Sequence, residues 1–201
     1  IYQCDWSSDV CSSDLRVDQP DAPQGTEDVE AAGEAVVVDP GRRRRLVWLT
    51  FGIAGFVVVV DQLTKLWAIA NLEGKPDIEL LGGLVTLTFL RNPGAAFSFG
   101  TSFTIVFTLI AVAVSYTIVR VSRRLGSVGW AIALGGLLGG AVGNLIDRIF
   151  RPPALFQGHV VDWITFPNFA VFNLADASIV CSACLMVLLA LRGIEIDGRR
   201  S

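Results

Sequence analysis

Long stretches without a single charged residue dominate this chain, at Leu46–Val60, Asn92–Val119, Leu125–Ile146 and Ala177–Leu191. A helix of about 20 apolar residues crosses the roughly 30 Å hydrocarbon core of a bilayer. A soluble domain has about 25% charged residues and cannot spare runs of this length; here 17% of 201 residues are charged and the mean hydropathy is +0.56. The reading is an integral membrane protein. The net charge of −3 says little, because acidic residues gather near the N-terminus and arginines gather at the ends of apolar segments. No basic face is left for nucleic acid, which is not expected as a partner.

Four spanning helices are predicted. The first follows Arg42-Arg43-Arg44-Arg45 and runs from Leu46 to about Ala70. The second lies within Asn92–Val119, from Ser102 onward, and stops at Arg120, Arg123 and Arg124. The third covers about Gly126–Asp147 and the fourth about Phe172–Leu191, closed by Arg192. Arginines on the cytoplasmic side orient all four consistently, with both termini cytoplasmic. Of the outer connections, residues 78–90 hold two β-prone runs around Gly82-Gly83 and predict a hairpin or small sheet. Residues 150–171, rich in Pro, Phe and Trp, suit the headgroup level. The expected fold is therefore an all-α membrane protein, four transmembrane helices with a small extracytoplasmic β-element and an interfacial loop or helix.

The four-helix membrane unit is placed at 42–195, with a cytoplasmic C-terminal tail at 196–201. Residues 16–41, acidic and rich in Pro, Gly and Ala, read as a disordered cytoplasmic tail. Residues 1–15 lack Met and repeat a Ser-Ser-Asp unit (WSSDV, CSSDL), and read as a non-native leader.

The single histidine, His159, excludes His-rich metal centres and two-histidine zinc-protease motifs. Cys181 and Cys184 lie in an apolar span, where cysteine packs as a small buried hydrophobe; no metal site and no cofactor are expected. The polar groups inside the spans are more informative. At 1.5 Å per residue, Asp61 lies roughly 24 Å from Arg45, Asp176 roughly 24 Å from Arg192, and Asn144 roughly 30 Å from Arg124. All three fall in the outer part of the membrane, in one layer, with Asp162 just before the fourth helix and able to reach the same level. Ionisable groups at such depth are costly and usually functional. Asp61 and Lys65 share a helical face, which suits an internal ion pair. Asn144, Asp147 and Arg148 share another, where an Asp147–Arg148 cluster can be structural, and Asn173 and Asp176 share a third. Gly139-Gly140 and Gly143 suit close helix packing.

Asp162 and Asp176 form the sharper pair. Two carboxylates in one low-dielectric pocket share a proton; the ionised member can take a proton from an attacking water while the other donates to the carbonyl. On spacing alone, a catalytic pair, an ion-binding site and a structural role all remain open.

At these residues the sequence resembles the lipoprotein signal peptidase (signal peptidase II) family of aspartyl proteases. The resemblance covers about residues 46–192 and rests on four blocks in order: Asp61-Gln62-Leu63-Thr64-Lys65; Arg91-Asn92-Pro93-Gly94-Ala95-Ala96-Phe97-Ser98; Gly139-Gly140-Ala141-Val142-Gly143-Asn144-Leu145-Ile146-Asp147-Arg148; and Val160-Val161-Asp162-Trp163 with Phe172-Asn173-Leu174-Ala175-Asp176. It implies cleavage of diacylglyceryl-modified prolipoproteins just before the modified cysteine, in the bacterial inner membrane, with the site toward the outer leaflet. It implies Asp162 and Asp176 as the catalytic dyad. Asp61, Lys65, Asn92, Gly94, Asn144, Arg148, Asn173 and Ala175 would bind substrate or orient the dyad, with Asp147 as structural support. Membrane lipid is a further expected partner, and a monomer is expected. The rival reading is a small ion- or proton-coupled transporter using Asp61, Asp147 and Asp176 as relays. It predicts charges at several depths and internal repeats, and the inner halves of the spans carry no such ladder.

Overall fold

Glycines set the packing of the bundle. The computed structural model describes residues 39–94 and 102–200. Its central helix, α3 (Val128–Phe150), carries two glycine stripes at four-residue spacing. Gly135 and Gly139 face α1 (Pro40–Leu72): a Cβ on either would come within 2.8 Å of the Thr50 or Ala54 carbonyl oxygen. Gly136 and Gly140 face α4 (Leu174–Leu191), where a Cβ on Gly140 would meet the Ala175 carbonyl oxygen at 2.5 Å. Small residues let helix backbones approach where lipid supplies no hydrophobic drive for association. Side-chain hydroxyls add to this glue. Thr50 Oγ1 donates to the Ala131 carbonyl at 3.2 Å, and Ser178 Oγ donates to that of Gly136 at 2.9 Å. With α2 (Ser102–Ser122) on its remaining side, the most apolar stretch of α3 is 56% buried, against 17–22% for the other three helices. All four helices are long and apolar enough to cross a membrane.

α1 begins six residues before the expected Leu46. Asp39 caps it through bonds from the Gly41 and Arg42 amides at 3.3 and 3.1 Å, and Pro40 occupies its first turn. Both are favourable start signals, so Arg42–Arg45 lie inside the helix. Its 33 residues extend about 50 Å, longer than the hydrocarbon core, so its ends project.

The expected hairpin is present. β1 (Ile78–Leu80) and β2 (Val85–Asn92) pair antiparallel around a short helical turn in which Gly82 takes φ 70°. The 150–171 segment holds more than a headgroup-level connection, because β3 (Val160–Thr165) adds to β2 as a third antiparallel strand. Asp162 therefore lies on a strand, opposite Leu90, and not immediately before α4. The signal was its run of Val, Trp, Ile and Thr, residues that suit a pleated surface. The sheet sits on the C-terminal end of α1, where Val161 is buried with Ala68 and Leu72 beneath Leu87, Phe89 and Trp163.

Cys181 and Cys184 are exposed on the apolar surface of α4, contrary to the expected burial. The packed face of α4 is taken instead by Ala175, Ser182 and Leu189. At the far end the chain folds back after α4: Trp130 Nε1 donates to the Ile194 carbonyl at 2.7 Å, and the Gly126 amide donates to that of Ile196 at 2.9 Å. The leader expected at 1–15, residues 16–38 of the tail expected at 16–41, and residues 95–98 of the second motif block lie outside the described residues; Pro40 and Gly41, the end of that expected tail, belong to α1.

Candidate active site

Two polar layers meet where α1, α3, α4 and β3 converge. The lower layer is ionic, and its Asp61, Lys65 and Asp147 are fully buried. Lys65 Nζ lies 2.9 Å from Asp61 Oδ2 and 2.8 Å from Asp147 Oδ2. Two carboxylates around one ammonium would leave a surplus negative charge in a dry interior, and burying an uncompensated charge is costly. Arg151, one turn after Asp147, supplies the second cation through Nε on Asp147 Oδ1. Gln62 Nε2 bridges both carboxylates at 3.2 Å. The layer also ties elements together: Asp61 Oδ1 accepts the Ala175 amide at 3.0 Å and Asp147 Oδ2 accepts the Val161 amide at 3.3 Å. A Cβ on Gly143 would meet Asp61 Oδ2 at 2.7 Å, so the glycine leaves room for that carboxylate.

Asp147 and Arg148, expected to cluster, interact electrostatically but form no ion pair. Asp147 turns to Lys65 and Arg151, while the Arg148 guanidinium lies 5.4 Å from the centre of the Phe107 ring. Arg148 interacts electrostatically with Asp162 and Asp176 without ion-pair contact, and its buried Nη1 has no hydrogen-bond partner among the described residues. Adjacent positions on a helix point about 100° apart, which is why both cannot serve one partner.

The upper layer holds Asp162 and Asp176. Asp162 is 1% exposed; its Oδ2 accepts Asn92 Nδ2 at 2.8 Å and its Oδ1 accepts Asn173 Nδ2 at 2.6 Å. Asp176, half-buried, accepts Asn144 Nδ2 at 2.7 Å and the Asn173 backbone amide at 3.2 Å. Asn173 caps α4 through the Asp176 amide at 3.0 Å, a reciprocal capping box. One residue thus starts α4 and holds both carboxylates. Gly94 orients Asn92: its amide donates to Asn92 Oδ1 at 2.8 Å, from a backbone at φ 110° that side-chain-bearing residues rarely adopt. The layers join at Asn144, whose Oδ1 accepts Lys65 Nζ at 2.8 Å.

Burial pushes the Asp162 carboxyl up to about 6; the Asn92 bond opposes this, and the Asp176 charge adds to it. His159, in the loop before β3, is held below its ordinary value by burial and by Arg91 and Arg148. Every candidate from the sequence lies in these two layers or against them. Gln62 and Arg151 received no role there, although Arg151 follows Asp147 at ion-pair spacing.

Comparison with known proteins gives one consistent result. The family model described as Signal peptidase (SPase) II matches residues 53–192. Lipoprotein signal peptidases are similar in sequence: that of Streptomyces griseus is 44% identical, covering 90% of this chain and 94% of the relative. That of Streptomyces coelicolor is 51% identical, covering 78% and 77%, and that of Rhodococcus jostii is 46% identical, covering 93% and 96%. Among solved structures, a bacterial membrane enzyme determined by the in meso method at 1.9 Å resolution superposes with a TM-score of 0.64 at 28% identity, over 71% of this chain and 92% of that one.

Proposed function

The chain belongs to the signal peptidase II family, and on that premise we propose that Asp162 and Asp176 are its catalytic pair. It is a multi-pass membrane protein and a peptidase that removes signal peptides from prolipoproteins. The observation that carries the pair is the double grip of Asn173, with its side-chain amide on Asp162 and its backbone amide on Asp176.

Asp162, the more buried carboxyl, is pushed up by that burial and holds the proton. Asp176, fixed by two donors, is the base. It takes a proton from a water that attacks the scissile carbonyl, while Asp162 donates to the carbonyl oxygen as charge develops there. The tetrahedral species collapses by breaking the C–N bond, the departing nitrogen takes up a proton, and the pair returns to one shared proton. Asn92, Asn144 and Asn173 orient the pair directly, Gly94 acts through Asn92, and Asp61 holds the start of α4 at the Ala175 amide. Lys65 acts through Asn144, Asp147 supports β3, and Arg148 Nη1 is free to meet a substrate carbonyl. Substrate is the diacylglyceryl-modified prolipoprotein, cut just before the modified cysteine. Its acyl chains stay in the bilayer, which accounts for a site at the outer end of the helices. The arginine-rich ends lie in the cytoplasm of a bacterial inner-membrane protein, which acts as a monomer.

The test is cleavage of a diacylglyceryl-prolipoprotein by purified protein. Asp162→Asn and Asp176→Asn are each expected to abolish turnover with the helical circular dichroism unchanged. Full activity in either variant overturns the assignment.

A further inference from the structure

The arginine end of the bundle carries a second kind of site. Two adjoining cavities, about 430 and 350 Å³, open between the start of α1 and the end of α2 and share Arg43 and Arg123. Arg120 and Arg124 line the first; Arg44 and Trp48 line the second. No described carboxylate lies within ion-pair distance of any of these arginines. Two helices distant in sequence therefore bring like charges together with no protein counter-charge among the described residues. Directly beneath, an apolar groove of about 570 Å³ runs along α3 between α1 and α2. Phe51 and Tyr116 stand at its upper end, one turn from Trp48 and Arg120, and Gly55 lies in its wall.

A guanidinium cluster above an apolar slot matches one chemistry, a phosphodiester joined to hydrocarbon chains. Arg presents paired donors to phosphate oxygens, and basic pockets between membrane helices take anionic headgroups. Trp48, 69% exposed, suits the headgroup boundary beside it. We infer that this cleft binds one anionic phospholipid of the adjacent leaflet, its phosphate held by Arg43 and Arg123 and an acyl chain lying in the groove between α1 and α2. The lipid fills a seam that neither helix closes; its phosphate lies at the opposite end of the bundle from Asp162 and Asp176, and the groove below runs along α1 and α3 as far as Val58 and Leu145. The inference stands apart from the assignment of those two residues.

The experiment uses the full chain, delipidated in a non-ionic detergent. Lipid binding is read by native mass spectrometry and thermal unfolding with added phosphatidylglycerol, phosphatidylcholine or inorganic phosphate. Phosphatidylglycerol is expected to bind roughly tenfold more tightly than phosphatidylcholine, as a few arginine contacts imply, and to raise the unfolding temperature where inorganic phosphate does not. Arg43→Gln with Arg123→Gln should erase that preference, whereas Arg199→Gln should keep it. Gly55→Phe leaves every arginine in place and fills the groove, so it should also lose the bound lipid. Equal binding of the two lipids, equal stabilisation by inorganic phosphate, or retention of the preference in the double variant would each overturn the inference.

Discussion

Lys65 Nζ donates to Asn144 Oδ1 at 2.8 Å, and the amide nitrogen of the same Asn144 donates to Asp176 at 2.7 Å. The ammonium of the buried ionic layer therefore fixes which way the Asn144 amide faces. Its oxygen must point to the cation, so its nitrogen points to the carboxylate. Asn144→Ala removes a hydrogen bond to a charged group, worth about 1.5–3 kcal/mol. The expected result is a fall of roughly 10- to 100-fold in kcat/KM, measured by prolipoprotein cleavage, with a lowered unfolding temperature because the buried Lys65 ammonium also loses an acceptor. Asn144→Asp should lose as much activity, since it places a carboxylate where Asp176 needs a donor.

The two cations of the lower layer should differ sharply in their effect on stability. Lys65→Gln leaves Asp61 and Asp147 facing each other with no ammonium between them, in a region with no solvent access. Breaking a buried pair in this way costs about 3–5 kcal/mol. Arg151 is partly exposed and shares Asp147 with Gln62, so Arg151→Gln should cost less. Thermal unfolding in detergent orders them; equal losses would contradict the layer as described.

Asp162 gives the activity and the stability of the protein a common pH dependence. Its carboxyl is raised by burial to about 6 from 3.8. The folded state therefore holds this proton more tightly than the unfolded chain. The stabilisation is fully present below pH 3.8 and is lost as pH rises through about 6. The full span amounts to about 3 kcal/mol at 1.36 kcal/mol per unit. The wild-type unfolding temperature should fall as pH is raised from 4 to about 7, and Asp162→Asn should flatten that slope. Activity needs the Asp162 proton, so kcat/KM of the free enzyme should decline as pH rises through about 6. A rate profile that rises through this range would sink the assignment of Asp162 as the acid.

Gly140 and Gly52 offer a controlled pair in which the added methyl is the same and the surroundings differ. A Cβ at Gly140 meets the Ala175 carbonyl at 2.5 Å, in the first turn of α4 beside Asp176, whereas one at Gly52 meets nothing within 4 Å. Gly140→Ala should destabilise by about 1–3 kcal/mol through overpacking and lower kcat by displacing Asp176. Gly52→Ala should be neutral or slightly stabilising, since alanine is the better helix former. Unfolding temperatures and cleavage rates of the two variants check both.

Much of the architecture was legible in the order of residues, because the forces that set it act along the chain. Uncharged runs of bilayer length specify spans, and arginines mark their ends. Glycines at four-residue spacing mark where helices touch, whereas the Asp39-Pro40 start of α1 is hidden by the acidic, Pro- and Gly-rich composition of 16–41, which reads as tail. The shared level of Asp61, Asn144 and Asp176 along the bundle followed from helical rise alone. Partner choice did not. Asp147 and Arg148 are neighbours in sequence, yet one faces Lys65 and Arg151 and the other faces Phe107. The strand character of residues 160–165 depended on β2 offering an edge to pair with. The grip of Asn173 on both carboxylates required α4 to begin where β3 delivers Asp162. Hydropathy and helical rise are properties of a segment by itself. A hydrogen bond between residues 162 and 173, or an ion pair between 65 and 147, depends on how separate elements meet, and only the packed bundle decides that.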